Sequence, residues 1–337
     1  MSASARTLSR RQTAVLLVAV LATAAVILPA FTRPAHAACK RTPNGRVLVM
    51  SNNVYEVDKQ DARKTGDMRR FVTRMKEMAP GDYAPDIVLI QEARRSAVGK
   101  IKKFMENKWG CTDFAVPVNA SKTGWTWINK YSKLGGKDTA VIINRKTVRV
   151  NKKGYISHGY SQSESASGEP VKVKKTAWVD VTEKSTQRGG DAPLRHILAG
   201  SVHFPRGSDF RSQTINLRLK KEFAVAIAKK FDAVQSNDNA PGQVIHVIGG
   251  DFNNYRYTIG DPTDLTPMYA ALTQPPFKYI DGPIEFTTGG IPNPIDFLFS
   301  TGTPLRAGSD DNNTHNEGSP NFYSNHDLRW SLLTGGQ

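Results

Sequence analysis

The sequence predicts an α/β (α+β) protein in which strands and helices alternate through two successive halves, with sheets covered on at least one side by helices. Two observations carry this. Short runs such as 47–50, 86–90, 140–143 and 244–248 are mostly apolar through their length, as strands buried on both faces are. Between such runs, Met68, Phe71, Val72, Met75 and Met78 recur at spacings of three and four, the period of a helix with one apolar face.

In chain order, Val47 to Met50 reads as the first strand, and the Met68–Met78 helix stops before Pro80. Asp86 to Ile90 is a second strand. Ala97 to Lys108 is a second helix, with Val98, Ile101, Phe104 and Met105 on one face. Strands follow at Ala140–Ile143 and Ala177–Val181. Tyr155 to Pro170, rich in Ser and Gly, reads as a loop, and Glu183 to Pro193 as the connection between the halves. The second half gives a strand at His196–Val202 and a helix at Leu217–Phe231, where Leu219, Phe223, Ile227 and Phe231 are spaced by four. Strands at Val244–Ile248, Ile295–Phe299 and Leu328–Leu333 complete it.

The N-terminus is expected to be an export signal rather than part of the fold. Arg6, Arg10 and Arg11 precede an apolar run from Ala14 to Ala30, and Ala35-His36-Ala37 supplies the small residues of a cleavage site before Ala38. Residues 1–37 are therefore read as a signal peptide for the Sec or the twin-arginine (Tat) route. Residues 38–337 are expected to form one domain of a secreted, monomeric protein without a stable membrane anchor. Removing 1–37 takes four arginines and no acid. It leaves 42 basic against 30 acidic residues, a net +12 from the full chain's +16. Such a surplus favours polyanionic partners. Cys39 and Cys111, an even pair in an exported chain, are expected to form a disulfide, and no nearby His pair suggests structural zinc.

Polar residues gather where the apolar strands end. Asn52 and Asn53 close the first, Gln91 and Glu92 the second, His203 the strand after the connection, and Asp251 and Asn253 the next. Asp296 sits in the Ile295–Phe299 strand, and Asn325-His326-Asp327 precedes the last. Singly, each has a mundane explanation, such as a turn or a satisfied structural histidine. In this order, each at the end of a rigid strand, they mark a site. The motifs Met50-Ser51-Asn52-Asn53, Ile87 through Arg94, Ser201-Val202-His203, Gly250-Asp251-Phe252-Asn253, Ile295-Asp296-Phe297 and Ser324-Asn325-His326 resemble the endonuclease/exonuclease/phosphatase superfamily, and within it deoxyribonuclease I-like nucleases.

The resemblance implies a four-layer α/β/β/α sandwich of two packed mixed sheets. It also implies a phosphodiesterase dependent on Mg²⁺ (or Mn²⁺ or Ca²⁺). Glu92 would be the main carboxylate ligand and Asn53 would lend an amide oxygen, with Asn325 nearby. His326, oriented by Asp296, or else Asp251, would take the proton of the attacking water. His203 would bind the phosphate or protonate the leaving oxygen, and Asp251 and Asn253 would position the reactants. Two departures stand out. Asn325 replaces the family's usual Asp, and the carboxylate that partners the first histidine has only Asp138 as a counterpart.

Arg94 matches an arginine that deoxyribonuclease I inserts into the minor groove. Lys122, Trp125, Trp127, Lys130, Tyr131, Lys133 and Lys137, with Lys172, Lys174 and Lys175, mix cations and aromatics suited to phosphate contact and base stacking, or equally to a membrane-facing loop with tryptophan anchors. A nonspecific nuclease acting on DNA, and RNA as well, is the expected activity. A sphingomyelinase-like phospholipid diesterase or a phosphatase of the same superfamily is the alternative, and a binding module without catalysis a third.

Overall fold

The apolar runs pair into two mixed sheets. The computed structural model describes residues 39–43, 45–54, 62–93, 95–120, 138–168, 174–184, 195–236, 244–253, 278–279, 296–309 and 328–336. The predicted signal peptide, Arg94, the Lys122–Lys137 cluster, Lys172, Asn325 and His326 lie outside the described residues.

The first half of the chain gives β1 (Arg46–Asn53), α1 (Ala62–Met78), β2 (Ile87–Ala93), α2 (Arg95–Trp109), β3 (Phe114–Asn119), β4 (Asp138–Asn144), β5 (Val148–His158) and β6 (Lys174–Glu183). The second gives β7 (His196–His203), α3 (Gln213–Ser236), β8 (Val244–Asp251), β9 (Lys278–Tyr279), β10 (Asp296–Ser300), β11 (Gly302–Ser309) and β12 (Arg329–Gly336). One sheet runs β11-β12-β1-β2-β4-β3 and the other β5-β6-β7-β8-β10-β9. Each contains one parallel pair, β1 with β2 and β7 with β8, among antiparallel neighbours.

Three apolar clusters separate four layers. Val47, Val49, Ile87 and Leu89 meet Val179, Ile197, Ala199 and Val247 between the sheets. Leu48, Met50, Val88 and Ile90 point the opposite way, onto Phe71, Met75, Ile101 and Met105 of α1 and α2. On the far side, Leu198, Val202 and Ile248 pack under Phe223, Ile227 and Phe231 of α3. The order is α/β/β/α, as expected from alternating strands with both faces apolar. Cys39, just ahead of β1, is bonded to Cys111, just after α2, closing a loop of 72 residues.

Two readings of the sequence need correction. Tyr155 to His158 are not loop: they end β5, an edge strand whose exposed side carries Lys152 and Lys153 and so lacks an apolar signature. The 183–193 segment does not join two halves. It connects β6 to its antiparallel neighbour β7 inside one sheet, anchored by a buried pair in which Arg195 Nε donates to Glu183 at 2.8 Å. The chain reaches its second sheet at β5 and returns to the first at β11.

Candidate active site

The polar ends of β1, β2, β7 and β8 converge. Parallel register sets Asn53 of β1 opposite Gln91 of β2, and His203 of β7 opposite Asp251 of β8, so both pairs of strands finish together. Asn53 Nδ2 donates across the gap between the sheets to Asp251 Oδ2 at 2.9 Å, and within its own sheet to Glu92 Oε1 at 3.2 Å. His203 Nε2 lies 3.3 Å from Glu92 Oε1 and 3.7 Å from Asp251 Oδ2. One potential ligand atom each from Glu92, His203 and Asp251 falls within 4.8 Å of the others, and all three residues are buried.

Local backbone geometry aims these groups. β2 slips against β4 between Ile90 and Ala93, and Glu92 adopts a left-handed φ of 54° at that irregularity. The conformation costs a residue with a Cβ about 1–2 kcal/mol, and it turns the carboxylate out of the strand's alternation. Asn253 is also left-handed, at φ 48°, with its N–H donating to Asp251 Oδ1 at 2.7 Å and its Nδ2 to the Phe204 carbonyl at 2.8 Å. Asn tolerates this conformation because its short side chain bonds the local backbone. Gly250, at φ 144°, admits no side chain: a Cβ there would stand 2.0 Å from the Val202 carbonyl oxygen.

Two carboxylates gathered beside an imidazole in a buried cluster offer oxygen ligands that fit a hard divalent cation. Like charges held this close repel unless positive charge stands nearby. The Asn53 amide presents its N–H groups to the two carboxylates, because both acceptors need a donor. Asp296 opens β10 directly opposite Asp251, which puts both acids on one face of the sheet. Its expected partner His326, and Asn325, lie outside the described residues, as does Arg94. The same holds for the side chain of Asp138.

Two lysines complete the site's electrostatics. Lys174 Nζ lies 3.4 Å from His203 Nδ1. With that ammonium donating to Nδ1, the ring proton sits on Nε2, facing the carboxylates. Lys220, on α3 and fully buried, donates to the carbonyl of Asn253. Lys174 belongs to the group of cations expected near the substrate. Lys220 went unnoticed, although it continues the i, i+4 row from Asn216 to Ala224 that α3 turns toward the sheet.

No family model matches this sequence, and no curated protein matches it. Solved structures do. An endonuclease/exonuclease/phosphatase from Bacteroides vulgatus superposes with a TM-score of 0.57 at 14% identity, over 86% of this chain and 99% of that one. The human Nocturnin catalytic domain gives 0.52 at 12% identity, over 88% and 94%. Truncated TDP2 of Caenorhabditis elegans gives 0.50 at 15% identity, over 86% and 98%. The chain has the endonuclease/exonuclease/phosphatase fold.

Proposed function

We propose that this protein is a divalent-metal-dependent phosphodiesterase, and specifically an exported nuclease acting on DNA and RNA. The observation that carries the reading is the convergence of Asn53, Glu92, His203 and Asp251 from four strands of two sheets into one cluster of hydrogen-bonding distances. A hard cation held by Glu92, with Asp251 and Asn53 beside it, would draw charge from a phosphate oxygen. His203, through Nε2–H, donates a hydrogen bond to a non-bridging phosphate oxygen and steadies the charge that grows there. Asp251, fixed by Asn53 and the Asn253 N–H, orients the attacking water. Asp296 supports His326 as the alternative acceptor of that water's proton.

A specific surface favours a polynucleotide over a lipid. Lys175, the residue after Lys174, sits over the ring of Tyr155 at 4.6 Å, and Tyr155 is 47% exposed. Cations beside an exposed aromatic suit phosphates spaced along a strand with bases to stack. The Cys39–Cys111 disulfide supports an oxidising, exported setting. The test is incubation of the purified protein with DNA, RNA, sphingomyelin and a phosphomonoester in Mg²⁺, Mn²⁺ or Ca²⁺. EDTA-sensitive release of nucleic-acid fragments, lost in His203→Ala, is expected. Hydrolysis of sphingomyelin alone would give the site to a phospholipid diesterase.

A further inference from the structure

We propose that Lys220 is a positioning residue of this centre: its ammonium holds the Asp251–Asn253 turn from the helix side and balances the charge at Asp251. The inference rests on the hydrolase reading above. Lys220 is among the largest side chains that are wholly buried, in a layer otherwise built from Phe204, Phe223, Phe231 and Phe252. A charged group in such a layer is costly unless a specific interaction repays it. Among the described residues its one acceptor is the carbonyl of Asn253.

That carbonyl belongs to a left-handed residue, a conformation that persists where surroundings fix it. The N–H of the same residue fixes Asp251 Oδ1, and its side chain fixes the Phe204 carbonyl, one residue beyond His203. One ammonium therefore braces the turn that sets both Asp251 and the end of β7. Burial lowers the Lys220 pKa to about 8, against the opposing pull of Asp251 and then Asp209. The group is thus mostly charged at neutral pH. Lys220 touches no substrate; it acts through Asp251.

A merely structural lysine and a charge-balancing one predict opposite shifts in cation affinity. Lys220→Met, assayed on a small diester, is expected to lower kcat by about 10–100-fold with KM within about twofold. Its calorimetric Kd for Mn²⁺ should tighten by about 3–10-fold, because a positive charge near Asp251 is gone. The thermal midpoint should fall, since the Asn253 carbonyl and Asp251 lose a buried partner. Undiminished kcat in folded Lys220→Met would overturn the proposal, as would weaker Mn²⁺ binding. If Lys220→Met does not fold, Lys220→Gln, which keeps a donor for Asn253, goes through the same measurements. Failure of both to fold would make the lysine a structural pillar and overturn the proposal. Wild-type protein that hydrolyses no diester would sink the hydrolase reading instead, leaving the Mn²⁺ titration to judge Lys220.

Discussion

The two sheets share one site but are backed differently. Behind β1 and β2, α1 and α2 form a layer of Met68, Phe71, Met75, Val98 and Ile101, stapled by Cys39–Cys111. Behind β7 and β8, α3 lays Phe223 and Phe231 over Phe204 and Phe252, but the same region also buries Lys220, His158 and His246. The first sheet contributes Asn53 and Glu92, and the second His203, Asp251 and Asp296. One half is a stapled apolar scaffold that presents an amide and a carboxylate to the cluster. The other trades some apolar packing for ionisable groups.

If the halves meet in a single centre, one substitution from each should be as damaging as both. Glu92→Gln and Asp251→Asn are each expected to lower kcat/KM on DNA by about 10²–10⁴, with the double variant little worse than the poorer single. Additive losses would separate the two sheets functionally. The next effect is on the stapled half alone. Replacing both cysteines by serine should cost about 4 kcal/mol by the loop-closure account, read as a lower denaturation midpoint in urea.

Acid should weaken the second half and spare the first. Burial lowers the pKa of His158 and of His246 from 6.5 to about 4. The unfolded chain therefore binds more protons between those values, and stability falls as pH drops from about 6.5 to 4. Each histidine accounts for about 3 kcal/mol of that loss. Asp86, at the start of the first sheet's β2, has the opposite sign. Burial raises its pKa from 3.8 to about 6, against hydrogen bonds from Thr147, Leu48 and Thr42. The folded state holds that proton more tightly, so its contribution is full below 3.8 and lost as pH rises through about 6. Asp86→Asn should steepen the acid dependence measured by thermal melts from pH 4 to 7, and His246→Gln should flatten it. The smallest effect lies on the substrate surface. Tyr155→Ala and Lys175→Ala should raise KM for long single-stranded DNA by about 3–10-fold while leaving a small diester unaffected.

Legibility in the sequence followed burial. Every predicted strand is an interior one, because a strand with neighbours on both sides and layers on both faces is apolar throughout. The four strands that escaped notice, β3, β5, β9 and β11, are the four sheet edges. Pro117 interrupts β3 and lysines line β5, the features that keep edges from pairing with other chains. The polar residues that the sheets bring together, Asn53, Glu92, His203 and Asp251, were legible by type and place at strand ends. What aims them was not: the left-handed φ of Glu92 leaves no compositional mark, and Lys220 looks like any lysine on an amphipathic helix until the sheet is laid beneath it.

Anomalous diffraction from crystals grown with Mn²⁺ tests the central claim most directly. A peak at about 2.1–2.3 Å from a Glu92 carboxylate oxygen, within reach of Asp251 and His203, is the predicted result. A strong peak elsewhere, with the pocket between β1, β2, β7 and β8 empty at saturating Mn²⁺, would contradict it.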